Sequence, residues 1–261
     1  MTKIQYVSDL HLEFPDNRIY LTENPIKPVA DILIIAGDFI VFEKDNTVIN
    51  TLYEPFIDSL AHDFEQVYII PGNHEYYGGH DLSTALSSFT FPLRDNVTYL
   101  NNKYLFLDHY LLIFSTLWSL LPSTFPKHRF GDFHRGQWQG ASLTIDQYNQ
   151  LHLNHKKFLQ KTLAEFNEQK KIIITHHLPS FSLIDPQYAG DELNTGFAST
   201  CDELISSSQA EYWIYGHSHS SSNRRVLEGT TLVTNPLGYV EYNENPGFEA
   251  GKVVMLGGDS G

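Results

Sequence analysis

The tetrapeptide Gly72-Asn73-His74-Glu75 follows residues 67–71, where β-branched and aromatic side chains predict a buried strand. Gly72 allows the backbone to turn sharply at the end of that strand. The three residues after it bring an amide oxygen, an imidazole and a carboxylate to one strand end. An ordinary turn could have the same sequence, so the meaning of the tetrapeptide depends on the rest of the chain.

Four other predicted strands end in the same chemistry. They span residues 4–8, 32–36, 171–175 and 212–215, and they lead into Asp9-Leu10-His11, Gly37-Asp38, His176-His177 and Gly216-His217-Ser218-His219. Strands of an α/β sheet gather their C-terminal ends at one edge, where ligands usually bind. Residues i and i+2 of an extended backbone point to the same side. The aspartate and histidine of the first motif should therefore face one place, as should the two histidines of the last.

The 261 residues are enough for one large α/β domain or two small ones, and because the five motifs span most of the chain we predict a single domain over residues 1–261. The chain is 41% hydrophobic, which is enough for a large core. Its formal net charge of −14 argues against nucleic acid as a partner, because broad binding to DNA or RNA requires a basic surface. No apolar run approaches the ~18 residues of a membrane span, and the first predicted strand begins too early for a signal peptide. With Cys201 as its one cysteine, the chain can form no internal disulfide, and we expect it to be cytoplasmic.

Hydrophobic spacing predicts helices at residues 50–64, 81–89, 142–169 and about 198–206. The third of these begins with a capping box formed by Thr144 and Gln147. Residues 13–28 are polar and contain prolines, so we expect a surface loop there. Further strands are predicted at residues 104–107, 111–116, 225–227, 231–235 and 252–256.

Residues 118–140 are rich in aromatic residues, proline and glycine, and they have neither a helical nor a strand period. A loop of this length inside a domain is usually functional or mobile. We expect the segment to face the substrate, with Arg129 and Arg135 contacting phosphate. The alternative is that its aromatic side chains cover the core on the far side.

The side chains that follow the five strands are typical metal ligands. They are Asp9, His11, Asp38, Asn73, His74, His176, His217 and His219. This set is too large for one ion, and oxygen and imidazole donors without thiolate favour Mn, Fe or Zn. Two divalent ions that share a carboxylate suit hydrolysis at phosphorus, and Asp38 is the natural bridge. We assign the ligand role to His176 rather than to His177 because His176 is nearer the strand end.

These motifs, in this order, resemble those of the calcineurin-like metallophosphoesterase superfamily. Residues 175–177 and 188–191, with Asn235-Pro236 and Gly238-Tyr239, are similar to its small bacterial members. The resemblance implies an α/β fold, a four-layer αββα sandwich of two mixed β-sheets flanked by helices. It also implies that one ion is held by Asp9, His11, Asp38 and His219 and the other by Asp38, Asn73, His176 and His217. In this family His74 would face the leaving-group oxygen.

One departure from the family concerns the residues after Gly37-Asp38. Many relatives have an acidic residue or asparagine there, whereas this chain has Phe39, Ile40 and Val41. The metal ligands are unaffected, but a supporting polar side chain would have to come from elsewhere in the sequence.

The sequence therefore predicts a dinuclear metal-dependent hydrolase of phosphate esters, a phosphodiesterase or a phosphatase, that uses a metal-bridging hydroxide as its nucleophile. We expect a small phosphorylated substrate, with His177, Arg129, Arg135 and Asp191 as candidate contacts. One alternative is a nuclease with the same site, and another is a non-catalytic metal-binding interaction module.

Overall fold

A computed structural model of the chain describes residues 2–44, 50–220 and 225–257. The strands in these ranges are β1 (Lys3–Val7), β2 (Ile32–Ile35), β3 (Gln66–Ile69), β4 (Phe89–Arg94), β5 (Val97–Asn101), β6 (Lys103–Leu107), β7 (Tyr110–Ser115), β8 (Gln137–Trp138), β9 (Ala141–Ser142), β10 (Lys170–Thr175), β11 (Ala210–Tyr215), β12 (Arg225–Leu227), β13 (Thr230–Thr234) and β14 (Val253–Met255). The α-helices are α1 (Pro15–Glu23), α2 (Glu54–Asp63), α3 (Asp132–Arg135), α4 (Ile145–Glu165), α5 (Asn194–Phe197) and α6 (Asp202–Ser208). Short 3₁₀-helices occupy Thr51–Tyr53, His74–Tyr76, Leu82–Leu86, Lys127–Arg129, Phe181–Leu183, Pro186–Tyr188, Val240–Tyr242 and Asn245–Gly247.

Two six-stranded mixed sheets form the centre of the molecule. The first has the strand order β14-β1-β2-β3-β5-β4 and the second β12-β13-β11-β10-β7-β6. In each sheet the four central strands are parallel and the two edge strands run antiparallel to their neighbours. The central strand β2 is wholly apolar because both of its faces are covered.

The core consists of layers that follow the two-residue alternation of the strands. Leu33 and Ile35 of β2 face α1 and α2, whereas Ile32 and Ile34 face the second sheet. On the other side, Ile173 of β10 packs against α4 and α6. Helices, sheet, sheet and helices therefore follow one another, and the predicted four-layer αββα sandwich is confirmed.

The long helix α4 begins as predicted, with the capping box of Thr144 and Gln147. The Thr144 side chain accepts from the Gln147 backbone N–H, and the Gln147 side chain accepts from the Thr144 backbone N–H. No helix in the described ranges is long and apolar enough to cross a membrane.

The surface loop predicted at residues 13–28 is wrong, since helix α1 lies there. The proline at its first position suits a helix start, but only Asn17 and Leu21 are buried, so the apolar period is too weak to detect. Asn17 Nδ2 donates to the carbonyl oxygens of Leu10 and Gly238, at 2.9 and 2.8 Å. The buried face of α1 therefore holds two loops by hydrogen bonds.

The helix predicted at residues 81–89 is only the 3₁₀-helix Leu82–Leu86, and the chain enters the edge strand β4 at Phe89. That strand contains a proline at position 92 and alternates between partly buried and exposed residues over most of its length. Its apolar signal is consequently weak. Helix α6 begins at Asp202, later than the predicted start near residue 198.

Candidate metal centre

The residues after β1, β2, β3, β10 and β11 meet where the carboxyl ends of the two sheets adjoin. His176 Nδ1, which follows the second sheet's β10, lies 2.8 Å from the carbonyl oxygen of Ala36, which follows the first sheet's β2. Metal-ligand side chains from both sheets lie within 4.8 Å of one another in this region. The sheets thus bring together residues more than 200 positions apart in sequence, as the contact between His11 and His219 shows.

The local backbone differs from the extended form that we expected for the paired ligands. Five of the residues have a left-handed backbone, with φ values of 54° at Asp9, 48° at His11, 54° at Asp38, 65° at His217 and 44° at His219. Residues other than glycine rarely adopt this backbone conformation, and those that do cluster at functional sites. The pairs face one place because each strand has ended and the chain coils tightly there, so the strand-alternation argument was wrong.

Gly72 allows the Asn73 loop to approach its neighbours closely. A Cβ atom at this position would lie 2.1 Å from Asp38 Oδ1 and 2.7 Å from His176 Nε2. Contacts below about 3 Å are essentially never made by real Cβ atoms, so only glycine fits without displacing both side chains.

The first donor group consists of Asp9, His11, Asp38 and His219. His11 Nε2 lies 3.0 Å from His219 Nε2 and 3.7 Å from Asp38 Oδ2, and Asp9 Oδ1 lies 3.4 Å from His219 Nε2. Asp9 also accepts the backbone N–H of His217 at 2.9 and 3.1 Å, which fixes its carboxylate. Two imidazole nitrogens and carboxylate oxygens therefore face a common point.

The second donor group consists of Asp38, His176 and His217, with the amide of Asn73 beside it. His176 Nε2 lies 3.1 Å from both Asn73 Oδ1 and His217 Nδ1, and 3.3 Å from Asp38 Oδ2. Asp38 Oδ2 thus lies between the two groups, although it is buried and has no hydrogen-bond partner among the described residues. An unpartnered buried carboxylate oxygen that faces imidazoles of both groups fits a position shared by two cations.

Oxygen acceptors hold the far nitrogen of three of the four histidines. His11 Nδ1 faces Glu13 Oε1 at 3.1 Å, and His219 Nδ1 faces Glu244 Oε2 at 2.7 Å. His176 Nδ1 faces the backbone carbonyl oxygen of Ala36 at 2.8 Å. A proton on each Nδ1 leaves the Nε2 lone pair directed at the centre. Metal-ligating histidines almost always have this kind of support.

The charge distribution at the centre favours cations. Burial alone would lower the pKa of His176 and His219, but neighbouring carboxylates, chiefly Asp38 and Asp9, raise them to about 9 and about 10. Burial would raise the pKa of Asp38, yet the charges of His176 and His74 lower it well below its usual range. The field that binds protons so strongly also favours divalent metal ions, which would displace those protons.

Glu75, the last residue of the tetrapeptide, is a structural clamp. It is fully buried and accepts the backbone N–H groups of Gly72, Asp38 and Phe39 at 2.7, 3.1 and 2.9 Å. The hydroxyl of Tyr99 also donates to it at 2.9 Å. Burial and the charge of Asp38 raise the pKa of Glu75 to about 8. Its carboxylate ties the loop after β2 to the loop after β3.

His74 lies beside the two donor groups and belongs to neither. Its Nδ1 is 2.7 Å from Glu13 Oε1, the same oxygen that faces His11, and its Nε2 is 3.1 Å from the hydroxyl of Tyr239. Glu13, His11 and His74 form a third close group of candidate ligand atoms. Burial would raise the pKa of Glu13, but the charges and hydrogen bonds of the two histidines lower it to about 2.

Asn73 is oriented by residues that the sequence did not suggest. Its Nδ2 donates to Asp132 Oδ1 at 2.8 Å and to the Tyr77 hydroxyl at 2.9 Å, and the same hydroxyl donates to Asp132. These contacts leave the amide oxygen directed at His176. Burial raises the pKa of Asp132, although Tyr77 and Asn73 stabilise its carboxylate.

A cavity of about 470 Å³ opens next to both donor groups. Its lining includes Asp38, Asn73, His74, His217 and His219 from the region of the donor groups. The apolar and aromatic lining residues include Phe130, Leu178, Ile184, Tyr188, Leu193 and Phe197. Phe14, Tyr77, Asp132, Tyr239 and Glu244 also line it.

Three of the four predicted substrate contacts line this cavity, namely Arg129, Arg135 and Asp191. Arg129 forms an ion pair with the exposed Glu192 at 2.5 Å, whereas the Arg135 guanidinium lies 5.6 Å from the centre of the Tyr77 ring. Of the segment 118–140, residues Arg129 to Asp132 and Arg135 line the cavity, while Trp118 and Trp138 are buried in an aromatic cluster with α4. Some residues of the segment thus line the cavity while others pack in the buried aromatic cluster.

His177 does not line the cavity. It is fully buried, its ring lies 5.2 Å from Trp118 and 4.2 Å from His217, and its Nε2 is 3.2 Å from the Tyr148 hydroxyl. Burial lowers its pKa well below the usual range. The structure thus places His177 in the packing behind His217, away from the residues that line the cavity.

Sequence reasoning overlooked Glu13, Glu244 and Asp132, which hold metal-centre side chains in place. Glu13 is two residues after His11, so its position in Asp9-Leu10-His11-Leu12-Glu13 was a usable signal. Glu244 and Asp132 are far in sequence from the residues that they contact, and no local pattern marks them.

Comparisons with known proteins match this architecture. A family model described as calcineurin-like phosphoesterase matches residues 2–221. The uncharacterized protein L509 of Acanthamoeba polyphaga mimivirus is 25% identical in an alignment 273 positions long, which covers 94% of each chain. The crystal structure of phosphopantetheinyl hydrolase from Mycobacterium tuberculosis superposes with a TM-score of 0.66 at 16% identity, covering 98% of this chain and 96% of that one. At that level of identity, the likeness concerns the fold.

Proposed function

The chain belongs to the calcineurin-like phosphoesterase family and is a metal-dependent phosphoesterase, and we propose that it hydrolyses small phosphate esters with two divalent metal ions. The observation that carries the proposal is the pair of donor groups that share Asp38. Its Oδ2 atom lies 3.7 Å from His11 Nε2 in one group and 3.3 Å from His176 Nε2 in the other.

Asp9, His11, Asp38 and His219 would hold one ion, and Asp38, Asn73, His176 and His217 the other. When bound, the ions would supply Lewis acidity for phosphate oxygens and an activated water as nucleophile. Oxygen and nitrogen donors without a thiolate favour Mn, Fe or Zn.

The residues of the chain itself account for the rest of the reaction. His74 lines the cavity but is not in either donor group, so it would serve the acid side of the reaction, as a source of the proton that the leaving group takes up. Glu75 and Asp132 keep the loops after β2 and β3 in position through Asp38 and Asn73. Arg135 adds a positive charge to the cavity lining for a negatively charged substrate.

The cavity supports a small substrate rather than a polymer. A volume of about 470 Å³ is within the range of small-molecule sites, and several lining residues are aromatic or aliphatic. Such a lining suits an apolar or ring-containing leaving group. Acidic residues at Asp185, Asp191 and Glu244 and the net charge of −14 oppose a polynucleotide backbone.

A substrate screen tests the proposal. Protein loaded with Mn is incubated with nitrophenyl mono- and diesters, nucleotides, cyclic nucleotides, sugar phosphates, a phosphopeptide and a single-stranded oligonucleotide, with and without chelator. We expect chelator-sensitive release of product from small esters. Preferential cleavage of the oligonucleotide would favour a nuclease, and metal binding without turnover of any substrate would favour a non-catalytic module.

Asp38→Ala provides the matched test of the shared carboxylate. Because it removes a donor from both groups, we expect elemental analysis to show weakened binding of both ions and turnover to be lost. Asp95→Ala, in the exposed turn between β4 and β5, is the control and should retain metal and activity. Loss of only one ion in Asp38→Ala would contradict a shared position.

A further inference from the structure

We propose that Tyr239 is a catalytic residue that delivers the proton to the leaving-group oxygen, with His74 behind it and Glu13 as the positioning residue of His74. The inference rests on the phosphoester hydrolysis proposed above. Its basis is an unbroken row of hydrogen-bonding atoms, in which the Tyr239 hydroxyl lies 3.1 Å from His74 Nε2 and His74 Nδ1 lies 2.7 Å from Glu13 Oε1.

The row has a direction, because only one of its ends reaches the cavity. Tyr239 and His74 line the cavity, whereas Glu13 does not. The Glu13 side chain is only 15% exposed, and its Oε2 atom is buried without a hydrogen-bond partner among the described residues. Glu13 can therefore act on a substrate only through His74, while the Tyr239 hydroxyl has direct access.

Tyr239 is held firmly by contacts on its backbone and its ring. Its backbone N–H donates to Glu244 Oε2 at 2.7 Å, the same oxygen that faces His219 Nδ1. Its ring centre lies 4.7 Å from that of His11 and 4.5 Å from that of His219. The hydroxyl is thus fixed relative to residues of the first donor group, as catalysis by a positioned acid requires.

Glu13 supplies what the residues after Gly37-Asp38 do not. The positions that follow are Phe39, Ile40 and Val41, which have no polar side-chain atoms. One carboxylate oxygen of Glu13 instead faces the Nδ1 atoms of both His74 and His11. A proton on Nδ1 of His74 that is bound to Glu13 keeps the ring edge with Nε2 directed at Tyr239.

The proton transfer balances within this row. The Tyr239 O–H bond breaks as its proton moves to the departing alkoxide oxygen, which leaves as an alcohol. The phenolate oxygen takes the proton of His74 Nε2, and the Nδ1 proton stays hydrogen-bonded to Glu13. His74 ends neutral and regains a proton from water before the next turnover.

Tyr239→Phe tests the proposal because it removes the hydroxyl and keeps the packed ring. With Mn-loaded protein, we expect kcat to fall by about 10²- to 10⁴-fold for alkyl phosphate esters, whose leaving groups need a proton, and by less than about threefold for nitrophenyl esters. Metal content and melting temperature should not change. Tyr242→Phe is the matched control, since that tyrosine is 68% exposed and its ring lies 5.9 Å from the ring of Tyr239.

A double variant separates one relay from two independent effects. His74→Asn should show the same dependence on the leaving group, and Tyr239→Phe combined with His74→Asn should be no slower than His74→Asn alone, within about threefold. Glu13→Gln should reproduce the pattern more weakly while elemental analysis still finds metal bound through His11. Multiplicative losses, or equal losses for good and poor leaving groups, would overturn the relay.

The outcomes also separate this inference from the proposed function. If the wild-type protein hydrolyses no phosphate ester, the proposed function fails and the relay with it. If the wild-type protein is active and Tyr239→Phe matches it on every ester, the proposed function stands and the role of Tyr239 is refuted.

Discussion

A methyl group at position 72 would collide with two side chains of the candidate metal centre. The Cβ of Gly72→Ala would lie 2.1 Å from Asp38 Oδ1 and 2.7 Å from His176 Nε2. Asp38 is the residue shared by both donor groups, so its displacement should disturb both. We expect weaker metal binding and a fall in turnover of about 100-fold or more, because displacements near 1 Å have effects of that size.

Elemental analysis and kcat/KM for a nitrophenyl ester measure this effect. Gly251→Ala is the control, since a Cβ there would meet only Val29 at an ordinary 3.6 Å. Normal metal content and activity in Gly72→Ala would show that the loop can move away from Asp38 and His176 without loss of function, which would contradict a need for glycine at this position.

His155 should make stability depend on pH below neutrality. It is fully buried on α4, where its Nε2 donates to the Ala85 carbonyl at 2.9 Å and its Nδ1 lies 3.0 Å from the Ser115 hydroxyl. Burial lowers its pKa from 6.5 to about 4. The unfolded chain therefore binds this proton more readily than the folded protein, and stability is lost as the pH falls from 6.5 towards 4.

The difference of about 2.5 pH units corresponds to about 3 kcal/mol at most. His155→Gln cannot titrate, so urea unfolding at pH 7 and pH 4.5 should show a smaller pH-dependent loss in the variant than in the wild type. His109→Gln, in the exposed turn between β6 and β7, should behave like the wild type. An identical loss in His155→Gln would contradict the assignment.

Several residue roles could be read from sequence, and others could not. Asp38 and Asn73 lie a few residues after β2 and β3, so their placement at the sheet edge followed from the strand pattern. Glu244 and Asp132 are recognisable only through contacts with His219 and Asn73, which are 25 and 59 residues away. The left-handed backbone at the ligands was also missed, because no propensity predicts φ near +50° at histidine.

At the scale of elements, the short helix α3 is the part of the segment 118–140 that contacts the candidate metal centre through Asp132. Its Asp132 accepts from Asn73 Nδ2 and from the Tyr77 hydroxyl. Asp132→Ala would release the Asn73 amide to rotate, which presents NH₂ instead of oxygen to the second group. We expect metal affinity at that group to fall by about 10- to 100-fold, as is typical when a supporting partner of a ligand is lost.

Isothermal titration calorimetry of the metal-free protein with Mn can resolve this effect, since the group formed by Asp9, His11 and His219 should retain its metal affinity. Asp146→Ala, on the exposed first turn of α4, is the control. An equal loss in both groups would indicate general unfolding of the site, and no loss would show that Tyr77 alone orients Asn73.

Among the elements, strong periodicity predicted well and weak periodicity did not. Helix α4 has an apolar face and a capping box, and β2 and β10 contain apolar runs that are followed by polar motif residues. Helix α1 buries little more than Asn17 and Leu21, and its position depends on hydrogen bonds from Asn17 to loops distant in sequence. Tertiary contacts of this kind override local propensity and leave no periodic signal.

At the scale of the whole molecule, bound metal should fasten the two sheets together. Asp9, Asp38 and Asn73 follow strands of the first sheet, whereas His176, His217 and His219 follow strands of the second. Ions held between them bind only the folded state, so they add about 4 kcal/mol at free metal near 1,000 times Kd. Chelation should therefore lower the melting temperature by roughly 8–16 °C.

Scanning calorimetry with and without EDTA measures the shift. Asp38→Ala should show a much smaller shift than the wild type because it lacks the shared donor. Equal melting temperatures of the wild-type protein with and without EDTA would mean that the sheets are held without help from metal.

The packing of His177 between Trp118 and His217 gives the protein an intrinsic optical probe. The indole is fully buried and lies 5.2 Å from the His177 ring, which lies 4.2 Å from the His217 ring. Indole emission responds to the charge and motion of nearby imidazoles, and His217 is where an arriving ion would change both. Binding of metal ions to the candidate centre can thus be followed by tryptophan fluorescence without a label. The chain has three tryptophans, and loss of the signal in Trp118→Phe would assign it to Trp118.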